Sequence, residues 1–229
     1  MFPTLLYLPT ITPLEESVVL VPAAYEALFA LCDMRFQSTE GKNELENGKG
    51  HEREKARMKF LDKLLRQGIL PGYSHCSEHA SIVEILLTQL KTLIEKLGIT
   101  SVKHLKDILP IISTTLTDPF VASKPSLLLA GIRCLQSTIL NAWPRVREEG
   151  YRIEIVKWLV ICWRTVTEEG NEGEGSEEME NELKNTGRLL VEAVRGEVDM
   201  KEELRPLFEV DENVGEVFGI DFSQESNTR

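Results

Sequence analysis

The residues most suited to chemistry lie close together in Ser74-His75-Cys76-Ser77-Glu78-His79. Imidazole and thiolate both bind zinc, so His75, Cys76 and His79 could begin the metal site of a helical hydrolase. A structural zinc takes four ligands, and Glu78 or His51 would have to complete this set. Neither CxxC nor HExxH is present. The simpler reading is the polar start of a helix with Ser77 as its N-cap. We therefore assign no catalytic, cofactor-binding or metal-ligating residue, expect no cofactor, and expect no enzymatic activity.

The other reactive groupings are equally incomplete. Cys32, Cys76, Cys134 and Cys162 are widely spaced, and three of them fall on apolar helical faces. Buried, reduced thiols fit that pattern better than a disulfide framework or a redox pair. Gly48-Lys49-Gly50 and the group Gly170, Gly173 and Gly175 follow no strand signal and lack the order GxxxxGK[ST]. Glu168, Glu169, Glu172, Glu174, Glu177 and Glu178 surround the second group and would repel phosphate. That acidic run reads as a solvated insert between helices, the alternative being a docking strip for a basic partner. In His51 to Gln67 basic residues alternate with Glu52, Glu54 and Asp62, which describes a solvated helix face rather than a nucleic-acid patch. The net charge of −11 points the same way, since binding a phosphate backbone needs clustered Lys and Arg.

The N-terminal stretch imitates a targeting signal but lacks a basic flank and is interrupted by Pro3, Pro9, Pro13 and Pro22. No run approaches the roughly 18 uninterrupted apolar residues of a membrane span. The expected setting is the cytoplasm, the nucleus or both, without nucleic-acid or membrane partners.

Helices must position whatever surface this chain uses, because strand alternation and hairpin turns are nearly absent while helical periodicity recurs. Pro22 to Arg35 predicts a short apolar helix with Tyr25, Leu28, Phe29 and Cys32 inward. Ser38 to Glu52 reads as a polar loop, Arg53 to Gln67 as a helix stopped by Gly68, and Ile69 to Cys76 as a connector with a Pro-Gly turn. Ser77 then opens a long helix. It carries Ile82, Ile85, Leu86, Leu90, Leu93, Ile94 and Leu97 on one face, and Gly98 stands at its C-terminal cap.

Two more helices follow, joined by an Asp118-Pro119 turn. The first carries Val102, Leu105, Ile108, Leu109, Ile112 and Leu116. The second, with Ser123 as N-cap and Pro125 near its first turn, carries Leu128, Ile132, Leu135, Ile139 and Trp143. Tyr151 to Gly170 predicts a helix apolar all round, in which Trp158 and Trp163 face different sides. Burial is expected for both, the alternative being an exposed interface anchor. A helix over Glu177 to Arg195 and short pieces at Met200–Phe208 and Val214–Ile220 complete the series.

First helices open near Ser101 and Tyr151, and second helices near Ser77, Lys124 and Glu177. Such steps approach those of HEAT and armadillo repeats, about 40–47 residues. The fold class expected is all-α, an α-solenoid of irregular HEAT/armadillo-like repeats. Its parts are an N-terminal helical segment (1–70) with a polar insert at about 38–52, a repeat region (71–220) with an acidic insert at about 168–178, and a disordered tail (221–229).

The central segment resembles the HEAT-repeat pattern through Leu109-Pro110 inside a first helix, the Asp118-Pro119 turn, and Ala130-Gly131 midway along a second. Its order DILPIISTTLTDPFVASKPSLLLAGIRCLQSTILNAWPRV (Asp107 to Val146) is followed by the Cys162-Trp163 helix, an acidic break and ELKNTGRLLVEAV. This more closely resembles the C-terminal half of the Tel-two-interacting protein two (Tti-two) family. The resemblance spans about Ser77 to Phe218, in a chain shorter than typical members. It implies a non-enzymatic scaffold, the second Tti subunit of the TTT co-chaperone complex. The implied partners are Tti-one-like and Tel-two-like helical-repeat subunits and, indirectly, the Hsp90 system and phosphatidylinositol-3-kinase-related kinases. Checkpoint signalling and telomere maintenance would be the processes served. The rival readings are a HEAT or armadillo adaptor of another pathway and the metal-dependent hydrolase.

Overall fold

Stripes of apolar residues three and four apart become buried helix faces, and they set the architecture. The computed structural model of the chain describes residues 14–36, 47–169 and 176–222. Among them there is no strand. The chain divides into two compact units, Met1–Leu97 and Gly98–Arg229.

The first unit holds α1 (Leu14–Phe36), α2 (Asn47–Leu64), a π-helical turn (Leu65–Ile69), α3 (Leu70–Cys76) and α4 (Ala80–Leu97). Helix α1 begins well before Pro22, where the sequence predicted its start. An internal proline forfeits a backbone hydrogen bond at a cost of about 3 kcal/mol. Here Ser17 and Val21 are buried along with Tyr25, Leu28, Phe29 and Cys32, so packing carries the helix through. By length and mean hydropathy the span Glu16–Phe36 is sufficient to cross a membrane. One face of the span is buried in this unit, while Val18, Val19, Leu20, Leu31 and Met34 are exposed. The helix packs on α4, and Lys96 Nζ lies 2.6 Å from an Asp33 carboxylate oxygen.

Two predicted breaks are helical. Residues Asn47–Glu52, placed in a polar loop, form the opening of α2, while 38–46 lie outside the described residues. Gly68 and Pro71-Gly72 do not end the helix, because the π turn between α2 and α3 absorbs them. There the Leu70 N–H donates to the Leu65 carbonyl, one residue further back than in an α-helix. Such a widened turn leaves room for Pro71, whose ring would otherwise press on the preceding turn. Ser77 is not the cap of α4. That helix opens at Ala80, with the His79 carbonyl accepting from Val83 N–H at 3.0 Å. On α4 the buried set includes Val83 and Leu87, while Ile85 is only half-buried.

The second unit begins with a 3₁₀ helix (Gly98–His104), where Gly98 takes the left-handed φ of 54° expected of a C-terminal cap. It continues with α5 (Leu105–Leu116), a 3₁₀ turn (Val121–Ser123), α6 (Pro125–Asn141), α7 (Trp143–Val146), α8 (Glu149–Glu169), α9 (Ser176–Val194), α10 (Met200–Phe208) and α11 (Val214–Phe218). Helix α5 pairs with α6 and α8 pairs with α9. Within the unit, first helix packs beside first helix (α5 with α8) and second beside second (α6 with α9). That layering is the stacking of a helical-repeat solenoid.

Two glycines allow close approach. A Cβ on Gly131 of α6 would stand 3.1 Å from Thr115 Cγ2 on α5, and one on Gly187 of α9 would stand 2.2 Å from the Val217 carbonyl oxygen on α11. Leu128, Ile132, Leu135 and Ile139 of α6 are all fully buried. At the Asp118-Pro119 turn, Asp118 Oδ1 accepts from Phe120 N–H at 2.9 Å. Ser123 does not cap α6. Its hydroxyl donates to the Phe120 carbonyl, and Lys124 is the capping residue, making no side-chain cap bond. At the C-terminus, Phe222 stacks on Phe208 with ring centroids 4.2 Å apart, so the predicted tail does not begin at residue 221. Residues 223–229 lie outside the described set.

Candidate interaction surface

The reactive side chains of the sequence are dispersed by the fold. His75 and His79 are exposed whereas Cys76, between them, is buried. Among the described residues no three His, Cys, Asp or Glu side chains come together in a group that could hold a metal. All four cysteines are buried. Burial pushes the thiols of Cys32 and Cys76 up and that of Cys162 up to about 12, which keeps them neutral and poor nucleophiles. Burial likewise raises the Tyr25 phenol, whose hydroxyl has no hydrogen-bond partner among the described residues. Gly48 to Gly50 lie in the first turn of α2, and Gly170, Gly173 and Gly175 lie outside the described residues.

The charged stretches resolve into local pairs. Arg57 binds Glu54 within α2, and Arg66 of the π turn binds Asp62 of α2, each pair one turn apart. In the predicted acidic insert, Glu168 belongs to α8 and pairs with Arg164, Glu177 and Glu178 belong to the first turn of α9, and 170–175 lie outside the described set. Carboxylates in a first helical turn are favoured by the helix dipole.

The three tryptophans separate. Trp163 is buried under Lys184, whose Nζ stands 5.1 Å from the ring centroid. Trp158 is half-buried and packs, with Tyr151, against Leu105 and Leu109. Trp143 is not on the buried stripe of α6, and 42% of it is exposed. The helix ends at Asn141, Ala142 leaves helical geometry at φ −108° and ψ 22°, and the phase that linked Trp143 to Ile139 is lost. Pro144 carried that signal, because proline is tolerated in the first turn of a new helix, as here in α7, but not in the interior of a continued one.

Around Trp143 lies an open groove, lined by Ile139, Leu140, Arg147, Leu189, Glu192 and Ala193. Leu140 is 59% exposed, Ile139 forms a buried floor, and Leu189 is half-buried. The Arg147 guanidinium covers one face of the indole at 4.3 Å from its centroid. The same side chain donates from Nε to the Ala193 carbonyl at 2.7 Å and forms an ion pair with Glu197. Arg147 thus holds the partly exposed ring in place.

Towards the N-terminal end of α9 the α6–α9 seam becomes polar. Arg133 reaches Glu178 at 2.9 Å and Glu182 at 3.4 Å, and Gln136 Nε2 donates to Glu182 at 2.8 Å and to the Thr186 hydroxyl at 3.0 Å. A shallow depression here is lined by Glu177, Glu178, Asn181, Glu182 and Asn185. Sequence reasoning singled out Glu177, Glu178, Trp143 and, as an apolar position of its helix, Leu189, but not Leu140 or Arg147, and these become one surface only when α6 and α9 pack side by side.

Such a surface offers apolar and charged area to another chain. A family model described as the Tti2 family matches residues 1–123, a little over half of the 229-residue chain. The match meets the stretch on which the sequence resemblance rests over residues 77–123, and the α6–α9 seam lies beyond it. No curated protein and no solved structure matches the chain significantly.

Proposed function

From the premise that the chain belongs to the Tti2 family, a family of TTT-complex scaffolds, we propose that it is the Tti-two subunit of a TTT co-chaperone complex. Its immediate partners are Tti-one-like and Tel-two-like helical-repeat subunits. Through them it serves the Hsp90 system in the maturation and stability of phosphatidylinositol-3-kinase-related kinases, and so contributes to checkpoint signalling and telomere maintenance. It acts in the cytoplasm, the nucleus or both. The observation that carries this reading is the family match over residues 1–123. The paired-helix packing of the second unit supports it, since stacked helices offer extended area for binding other chains.

Depletion of the protein in cells tests the reading. Steady-state amounts of the kinases should fall while their transcripts stay constant. Unchanged kinase amounts would leave a scaffold of another pathway.

A further inference from the structure

We propose that the seam between α6 and α9 is a docking groove for a single amphipathic helix of a partner subunit, basic at one end and anchored by a large apolar side chain at the other. This rests on the scaffold reading and names the surface through which the scaffold is joined.

Helix α9 presents Glu178, Glu182, Asn185, Leu189 and Glu192 at intervals of three or four residues, so they form one stripe along the seam. At 1.5 Å per residue that stripe runs for about 20 Å, the length of about four turns of a seated helix. A furrow between two packed helices accepts the side-chain ridge of a third, and helix-in-groove recognition reads anchors at this same spacing. Among the described residues there is no strand whose edge could add an extended peptide instead.

The two ends of the seam specify the occupant. At the apolar end, Leu140 and Trp143 are exposed beside half-buried Leu189, and an apolar anchor would bury all three. Arg147, fixed by Trp143, Ala193 and Glu197, already holds the indole, so little side-chain freedom remains to be lost on binding. Tryptophan and arginine are the residue types over-represented where binding energy concentrates. At the other end Glu178 and Glu182 pair with Arg133 while Glu177 lines the same depression, and three carboxylates beside one guanidinium leave negative potential. Lysines or arginines on the incoming helix complement it, whereas nucleic acid and anionic lipid are repelled.

The test uses the full chain and purified Tti-one-like subunit, with affinity measured by calorimetry at low and moderate salt. Leu140→Ser and Trp143→Ala should each weaken association by about 30-fold, the effect of losing a hot-spot residue. Glu178→Gln combined with Glu182→Gln should weaken it less and flatten its salt dependence. Phe120→Ser, at an exposed site outside the groove, should leave it unchanged. Melting temperatures identify any variant that fails to fold, and Leu140→Ser, at a mostly exposed position, keeps the test decisive if Trp143→Ala unfolds. Carboxylate-to-lysine cross-links from Glu178 and Glu182 should fall on one partner segment whose lysines recur three or four apart. Parent-like affinity in the folded groove variants overturns the groove while leaving the scaffold reading intact. So does a self-association of the parent chain that Trp143→Ala abolishes. A parent chain that does not bind the subunit overturns both.

Discussion

At Gly187 an added methyl would stand 2.2 Å from the carbonyl oxygen of Val217, closer than any real Cβ contact. The opposing effect is helix propensity, which favours alanine over glycine by about 1 kcal/mol. Overpacking against backbone costs about 1–3 kcal/mol and has no flexible side chain to yield, so it wins. We predict that Gly187→Ala lowers the urea midpoint, and a raised midpoint would contradict the close α9–α11 contact. The cysteines make a second test at this scale. Because burial keeps Cys32, Cys76 and Cys162 protonated, and Cys134 is also buried, all four should resist a thiol reagent at pH 8 in the native chain. All four should react in denaturant. Rapid labelling of one thiol in the native protein would place that residue at the surface.

Each helix is held by its stripe, and the stripes were the legible part of the sequence. Leu128, Ile132, Leu135 and Ile139 could be chosen as core because a 3.6-residue period leaves one solution. We predict that Leu135→Asp abolishes cooperative folding. An unpaired buried charge costs several kcal/mol, comparable to the ~5–15 kcal/mol that stabilises a domain. An unchanged melting temperature would show that another face of α6 is inside. What sequence could not supply was the tertiary context of its punctuation. Pro22, Gly68 and Pro71 are helix breakers by local chemistry, yet packing and a π turn carry the chain through all three. Ser77 and Ser123 have capping chemistry, and the helices open a few residues beyond them or with another capping residue.

The ion pair between α8 and α10 was equally invisible, because its members are remote in sequence. Arg152 is 6% exposed and grips both Glu203 oxygens, at 3.1 and 2.9 Å. Breaking a buried pair leaves a stranded charge at a cost of about 3–5 kcal/mol, and solvent reaching Glu203 lessens it here. Glu203→Ala should therefore speed amide exchange along α10 before any other helix of the second unit, and uniform exchange would count against that tether.

On the scale of the molecule, fold class and family were within reach of the sequence while the candidate surface was not. Helical periodicity and repeat spacing suffice for an all-α repeat fold. A groove assembled from residues about 50 positions apart on α6 and α9 exists only once those helices are neighbours. The central claim is that the chain works by joining other helical-repeat chains. Native mass spectrometry of the protein mixed at low salt with Tti-one-like and Tel-two-like subunits tests it most directly. The account predicts one assembly whose mass includes this chain. Assembly of the other two subunits with this chain left as a free monomer would contradict it.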